Sequence, residues 1–519
     1  MIQGKVTYTF LGLILAFCLS VQGIGQITRG GDPVSWNLPE SIDTDIDEVA
    51  LPEVNGQELM QEDANIALQR NLPYRFAVAQ STDLNLDNDG RWTTLQNGDR
   101  IWQISIYSEG AKSLALNFSE FFLPKGSVVH VYDPERTHVQ GGFTNTNNKS
   151  SGKFATSHLP GDQLILEYYE PLSVRNDGRI SIASVSHAYR DVIQEDINDS
   201  CEQSIGCETS QDIDALGSSV VRITVSSGTR FTTGVLLNNT SFSGKPLVLT
   251  SFDALFGNPD TWIFDFNLLD NSCSETDIEN NQNIVGAKLV ASDNETHVAI
   301  LELSLKPLKE WGVQYAGWKK TGDTPQHVSF IHHPSGGQKK YNEHHTAPYY
   351  YSEEGQMLWT LTDWEIGSSS QGSLGGPLFD ENNLVIGWYI RGNHNCENGG
   401  EDVFARLFNA WPIIKKQLDP FNTGMVEVSG FYPGFDQIDE RILKEDIGIF
   451  PNPTASRLNV VNRAESGFLS YEILDMTGRL VASDAYVGGP IQVDQLLPGN
   501  YVIRFTMEDG FAHKKFIKN

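Results

Sequence analysis

Short runs in which apolar and polar residues alternate, cut by Gly and Pro, recur along most of this chain. Examples are Ile101 to Ile106, Leu114 to Phe118, Val128 to Tyr132 and Leu164 to Tyr168. A period of two puts one face of each run toward a core, which predicts strands rather than helices. Residues 70–195 read on this basis as a β-sandwich. His130, His138 and His158 are scattered through it without other catalytic residue types, so they read as surface or packing residues. A second set of strand-like runs covers 201–420: Val220 to Val225, Gly234 to Leu237, Leu247 to Thr250, Val298 to Leu303, Val328 to His332 and Leu384 to Tyr389. Ala405 to Leu418 is the best helix candidate there, with Pro412 as its limit. About 220 residues of short strands closing on a helix suit a double β-barrel. Residues 421–446 read as a linker, and 447–519 carry the strand signals of a small Ig-like sandwich ending on an edge-type strand, Lys514 to Lys518. The fold class is all-β.

Composition narrows the partners. The formal charge of −29 excludes a phosphate-backbone ligand, because nucleic-acid binding needs a basic surface. Residues 26–69 form an acidic lead-in, with nine Asp/Glu and no Lys/Arg between Glu40 and Asp63. Such a run is expected to be solvated or weakly ordered, although part of it could lie over a basic surface. Lys5, the apolar run Thr9 to Val21 and the small-residue site Gly23-Ile24-Gly25 predict a signal peptide over 1–25, removing Cys18. No later stretch is apolar enough to cross a bilayer. Four cysteines remain, Cys201, Cys207, Cys273 and Cys396. An even number in an exported chain points to two disulfides rather than to metal ligands. No cofactor is expected.

The chemistry concentrates in Ile366 to Asp380. A polar, Gly-rich loop ends in Gly375-Gly376-Pro377, in the frame G-x-S-G-[GS]-P of a serine-protease nucleophile turn. Glycines there allow positive φ and aim amide N–H groups at a substrate carbonyl. The six positions read Gly372, Ser373, Leu374, Gly375, Gly376 and Pro377, so leucine stands where the nucleophile belongs.

Three segments resemble known families. Residues 201–420 resemble the lysyl-endopeptidase branch of the trypsin-like serine proteases through Gly234 to Thr240, Lys245 to Thr250, Ile331 to Gly336 with Lys339-Lys340, Gly372 to Asp380, and Asp402 to Trp411. The sandwich at 70–195 is similar to the pro-region of bacterial members, through Gly110 to Leu114, Val131 to Pro134, Gly161-Asp162, Leu166 to Pro171 and His187 to Arg190. Residues 447–519 resemble the C-terminal sorting domain of the type IX secretion system of Bacteroidetes, through Pro451 to Thr454, Asp475 to Gly478, and Leu497 to Tyr501. The resemblance implies a secreted or cell-surface location, with the secretion machinery and an unnamed protein or peptide ligand as partners.

Carried over position by position, the resemblance implies a degenerate catalytic triad. A triad needs a hydroxyl nucleophile, an imidazole base and an orienting carboxylate. The histidine position after the Leu-Thr strand end reads Asp253, the aspartate position before Val298-Ala299-Ile300-Leu301 reads His297, and the serine position reads Leu374. An alkyl side chain has no lone pair with which to attack a carbonyl. The family's disulfide beside the catalytic histidine is missing at both ends, Thr232 and Ala254, and the remaining pairs are implied to be Cys201–Cys396 and Cys207–Cys273. Ile390 and Arg391 are expected to fill the specificity pocket. Gly372, Arg391 and Asp402 are the candidate binding residues, with Asp402 expected to pair with Arg391 or another local cation. No lysine lies between Lys153 and Lys245, so lysine-specific self-cleavage near residue 195 is impossible and the sandwich is expected to stay attached. The leading expectation is a pseudoprotease that binds or scaffolds. The alternative is a hydrolase with a rearranged site, using Ser373 with a swapped Asp253–His297 pair. A metal site on Asp253, His297 and His332 or His333 is a third reading, set against a scaffold role for the His332-His333-Pro334 run.

Overall fold

The computed structural model describes residues 31–38, 46–66, 71–191, 201–205, 211–268, 282–353, 355–432, 447–462, 468–475, 480–486, 489–507 and 510–519. The signal-peptide expectation and the Cys207–Cys273 pair lie outside them.

The alternating runs of the first unit become two facing sheets. One has the order Glu48–Ala50, Arg100–Tyr107, Gln163–Glu170, Val128–Tyr132 and Val139–Phe143, with Arg91–Thr94 also paired to Arg100–Tyr107. The other runs Leu159–Pro160, Ser113–Phe122, Arg179–Ala188 and Ala77–Asn85, with Phe154–Ala155 on Ser113–Phe122. Trp102, Ile104, Leu116, Phe121, Phe154 and Leu166 fill the space between them and are fully or nearly fully buried.

The acidic lead-in differs from expectation. Glu48–Ala50 extends the first sheet as a parallel strand beside Ser105–Tyr107. Gly56–Ile66 is a helix, and its Asp63 is only 8% exposed. Arg75 Nε, Tyr189 Oη and Arg190 Nη2 donate to the Asp63 carboxylate at 2.6, 2.5 and 2.9 Å. Two guanidinium groups and a phenol offset the cost of burying this charge, so one acidic residue of the run acts as an anchor.

The second unit has two large sheets. The eight-stranded sheet follows the order Asn283–Val285, Ile263–Asp265, Val220–Val225, Arg230–Leu237, Leu247–Ser251, Val298–Leu303 and Ala287–Asp293, with Tyr74–Arg75 added on Arg230–Leu237. The ten-stranded sheet runs Gln203–Ser204, Lys340–His344, Val328–His332, Pro377–Asp380, Val385–Gly392, Asp402–Arg406, Gln356–Leu361 and Tyr349–Glu353. One core joins them: Val235, Leu249 and Ile300 from the first sheet meet Ile331, Phe379 and Trp388 from the second. The helix Leu407–Leu418 closes it with Leu407, Ala410, Ile414 and Leu418, and Pro412 sits inside the helix.

Part of the expected linker also belongs to this unit. Glu427–Val428 pairs with Trp318–Lys319, and Phe431 bridges to Tyr315. Val428 and Phe431 are buried, and their apolar surface holds the segment against the barrel. The last unit has a three-stranded and a four-stranded sheet around Leu458, Ile473, Ile503, Phe505 and Phe516, with Gly510–Lys518 at a sheet edge.

Candidate functional site

The turn at 372–377 is built as its glycines require. Gly372 has φ +98° and Gly375 φ +81°. A Cβ at Gly372 would lie 2.6 Å from the His333 carbonyl oxygen, and one at Gly375 would lie 2.2 Å from Thr250 Oγ1. Only glycine fits either place. Leu374 is wholly buried, and its carbonyl accepts from Thr233 N at 2.9 Å and from Thr232 Oγ1 at 2.7 Å. Of the amides after Gly372, those of Ser373, Gly375 and Gly376 donate to Ser370, Tyr389 and Ser373 carbonyls.

Short links bring Asp253, His297 and this turn together. Strand Leu247–Ser251 ends in a 3-10 turn in which Ser251 Oγ accepts from Asp253 N, and Gly375 packs against Ser251. His297, at φ +53°, precedes strand Val298–Leu303. Its carbonyl accepts from Phe252 N and from Trp388 Nε1, each at 2.9 Å. Trp388 adjoins Tyr389, which exchanges backbone hydrogen bonds with Gly375 and Gly376. His297 Nδ1 lies 2.9 Å from Asp253 Oδ2, and both side chains are partly exposed, 29% and 23%. A carboxylate and an imidazole therefore stand at the surface in hydrogen-bond contact.

Ser373 belongs to a different network. Its Oγ lies 2.7 Å from His332 Nδ1 and accepts from Ser370 N at 3.1 Å. Burial keeps the ring neutral and Asn342 Oδ1 can only accept, so the ring proton sits on Nε2 and Nδ1 accepts from the Ser373 O–H. The imidazole then donates from Nε2 to Asn342 Oδ1, 3.0 Å away. Chemically this is a hydroxyl, a base and an orienting amide in series. Yet Ser373, His332 and Asn342 are all completely buried, and His332 stacks on Phe330 at 4.2 Å. Burial pushes the His332 pKa down to about 3, so the ring is neutral. His333 Nδ1 is tied to the Gly337 carbonyl. Among the described residues no cluster of three or more His, Cys, Asp or Glu could hold a metal.

The loop before the turn is pinned by polar groups. Cys201 and Cys396 form a disulfide, with Cys201 beside the Gly367 carbonyl. Ser368 Oγ lies 3.1 Å from His394 Nδ1, and His394 Nε2 lies 3.2 Å from Asp363 Oδ1. Asp402 is completely buried and accepts from Ser369 Oγ and Trp364 Nε1, each at 2.7 Å. The expected Asp402–Arg391 pairing is corrected here: Arg391 Nη2 meets Glu353 at 2.7 Å. The register of strand Val385–Gly392 shifts between Tyr389 and Arg391, and the guanidinium keeps one third of its surface in water. Ile390 joins the core between the sheets. Arg391 is thus partly exposed, while Ser369 and Trp364 hold Asp402.

Residues 196–405 match the lysyl endopeptidase C-terminal domain family. This stretch is a lysyl-endopeptidase-type domain. Residues 448–519 match the secretion system C-terminal sorting domain family. Solved structures similar to the chain include an inactive form of the Rv3671c protease, at 16% identity, covering 40% of this chain and 91% of that one, with TM-score 0.28. The HtrA-type protease AlgW with tripeptide shows 13% identity, 59% and 95% coverage and TM-score 0.30. A serine endoprotease from Yersinia pestis shows 16% identity, 60% and 98% coverage and TM-score 0.29. Among the described residues no helix is long and apolar enough to cross a membrane. The lysyl-endopeptidase-type domain thus stands between a sandwich and a sorting domain in one chain.

Proposed function

We propose that this is an exported pseudoprotease, carried by type IX secretion to the cell surface or the extracellular space, whose lysyl-endopeptidase-type domain binds or scaffolds and does not hydrolyse peptides. The observation that carries the reading is the pair Ser373 and Leu374. The nucleophile place holds a buried leucine, and the neighbouring hydroxyl is spent on a buried histidine. Nucleophilic acyl transfer requires a nucleophilic atom that both reaches the substrate and is activated by a base, and neither residue meets the two conditions. The sorting domain supports export.

A hydrolase with a rearranged site is the second reading, favoured by the partly exposed Asp253–His297 pair. Its nucleophile would stand outside that network, since Ser373 faces His332, and the hydroxyl inside it, Ser251, is buried and donates to Asp253 Oδ2 rather than to His297. Incubating the secreted protein with a mixed peptide library and analysing the products by mass spectrometry tests the proposal. No cleavage above a heat-treated control is expected, and defined cleavage that scales with protein concentration would overturn it.

A further inference from the structure

The hairpin turn between Val220–Val225 and Arg230–Leu237 is unusual backbone. Ser226, Ser227 and Gly228 all have positive φ, at 55°, 58° and 80°. Two successive residues with side chains in the left-handed region are disfavoured and persist only where surroundings hold them. Ser226 is held from within the barrel, its amide donating to the Phe256 carbonyl and its carbonyl accepting from Thr229 Oγ1, and the three carbonyls that follow are held by the N-terminal sandwich. The Ser227 carbonyl accepts from Asn117 Nδ2 at 2.9 Å. The Gly228 carbonyl accepts from His158 Nε2 at 2.7 Å and Ser186 Oγ at 2.9 Å. The Thr229 carbonyl accepts from the amides of Phe76 and Ala77.

Apolar and strand contacts continue the seam. Tyr74–Arg75 pairs antiparallel with Arg230–Phe231 as a strand of the barrel sheet. Phe76 stacks on Phe231, with centroids 4.0 Å apart and planes within 4°. Tyr74, Phe76, Ala77, Ala188 and Phe231 form one buried cluster. Ile263 and Val285 of the barrel lie within the core cluster of the sandwich. Lys149 Nζ donates to the Asp260 carbonyl at 2.6 Å.

The same seam reaches the candidate site. A Cβ at Gly336 would lie 2.1 Å from the Phe231 ring, so this glycine and the ring are in direct contact. Gly336 N and Ser335 N sit against Gly372, and Ser335 N donates to the Gln371 carbonyl at 2.6 Å. Thr232, next to Phe231, donates to the Leu374 carbonyl.

We propose that the sandwich is a permanent structural half of the lysyl-endopeptidase-type domain, whose docking surface around Phe76, Asn117 and His158 holds the 225–231 hairpin and, through Phe231 and Gly336, sets the Gly372–Leu374 turn. Separation would expose Phe231 and leave the carbonyls of a strained turn without their partners. This inference does not depend on whether the turn hydrolyses anything.

The test uses the full chain with a recognition sequence for a site-specific protease inserted at 192–200. After cutting, the two fragments are expected to co-elute on gel filtration at micromolar concentration. Phe76→Ala in the cut protein is expected to weaken their association roughly a hundredfold, since it removes a buried aromatic ring. Asn117→Ala, a milder change, is expected to weaken it by about tenfold. Elution of the uncut Phe76→Ala chain as a monomer with an unchanged far-UV spectrum separates lost docking from lost folding. Separation of the cut wild-type fragments into two folded species would overturn the proposal. So would co-elution that neither substitution weakens.

Discussion

Ser373 donates its hydroxyl to His332 at 2.7 Å, inside the protein, beside the buried Leu374 in sequence. This bond makes Ser373 a structural residue. Ser373→Ala should leave the His332 ring nitrogen buried without its donor, at a cost of about 1–3 kcal/mol. Urea denaturation followed by tryptophan fluorescence measures it. A variant as stable as the wild type would show that the bond contributes nothing.

Acid should weaken the fold before most carboxylates titrate. Burial lowers the pKa of His158 to about 4 and of His332 to about 3, and holds that of His333 well below its ordinary value. In the unfolded chain these rings take up a proton near pH 6.5, whereas the fold keeps them neutral. Their contribution is therefore complete above pH 6.5 and is lost progressively as the pH falls toward 4 and 3. Unfolding midpoints should hold between pH 7.5 and 6.5 and drop steadily from there to pH 4. In NMR spectra, the His332 imidazole should remain neutral over that range.

Cys201 and Cys396 close a sequence separation of 195 residues. Replacing both by serine should destabilise the lysyl-endopeptidase-type domain by about 2–5 kcal/mol, because the bridge restricts the unfolded chain. The loop at 366–371 should respond first, since Cys201 sits beside the Gly367 carbonyl. Hydrogen exchange at Gly367 to Gln371, compared between the variant and the wild type, checks this.

Installing a serine, a histidine and an aspartate at the three positions proposed for the triad is a direct test of their placement. Asp253→His, His297→Asp and Leu374→Ser together should give reactivity toward serine-directed reagents, while Leu374→Ser alone should give much less. The existing Asp253–His297 contact of 2.9 Å would then run from base to carboxylate in the order that a triad needs. A triple variant no more reactive than the single variant would show that the three positions do not form a site.

Several of these features were legible in the sequence because they are local. The glycines at 372 and 375 announce a positive-φ turn, and alternating runs announce strands whose order then follows from β-sheet packing. The Cys201–Cys396 bridge and the Asp253–His297 contact followed from the family resemblance. Long-range polar pairings were not legible. Ser373 and His332 are 41 residues apart, one in the turn before strand Pro377–Asp380 and the other at the end of the neighbouring strand Val328–His332, and neither residue type alone names the other. Asp63 looked like one charge in a solvated run, because its partners Arg75, Tyr189 and Arg190 become neighbours only when the sandwich forms. Val428 and Phe431 were too few to mark a packed segment, yet their burial together with the strand pairing to Trp318–Lys319 binds one. The ion pair of Arg391 was not legible either: the strand register shifts near Ile390, and the guanidinium meets Glu353.

The most direct test of catalytic inactivity is labelling of the purified secreted chain with a fluorophosphonate probe, beside Ser373→Ala and an active serine protease as controls. The account predicts no labelling of the wild-type chain under conditions that label the active protease to completion. Labelling of the wild type that disappears in Ser373→Ala would contradict it.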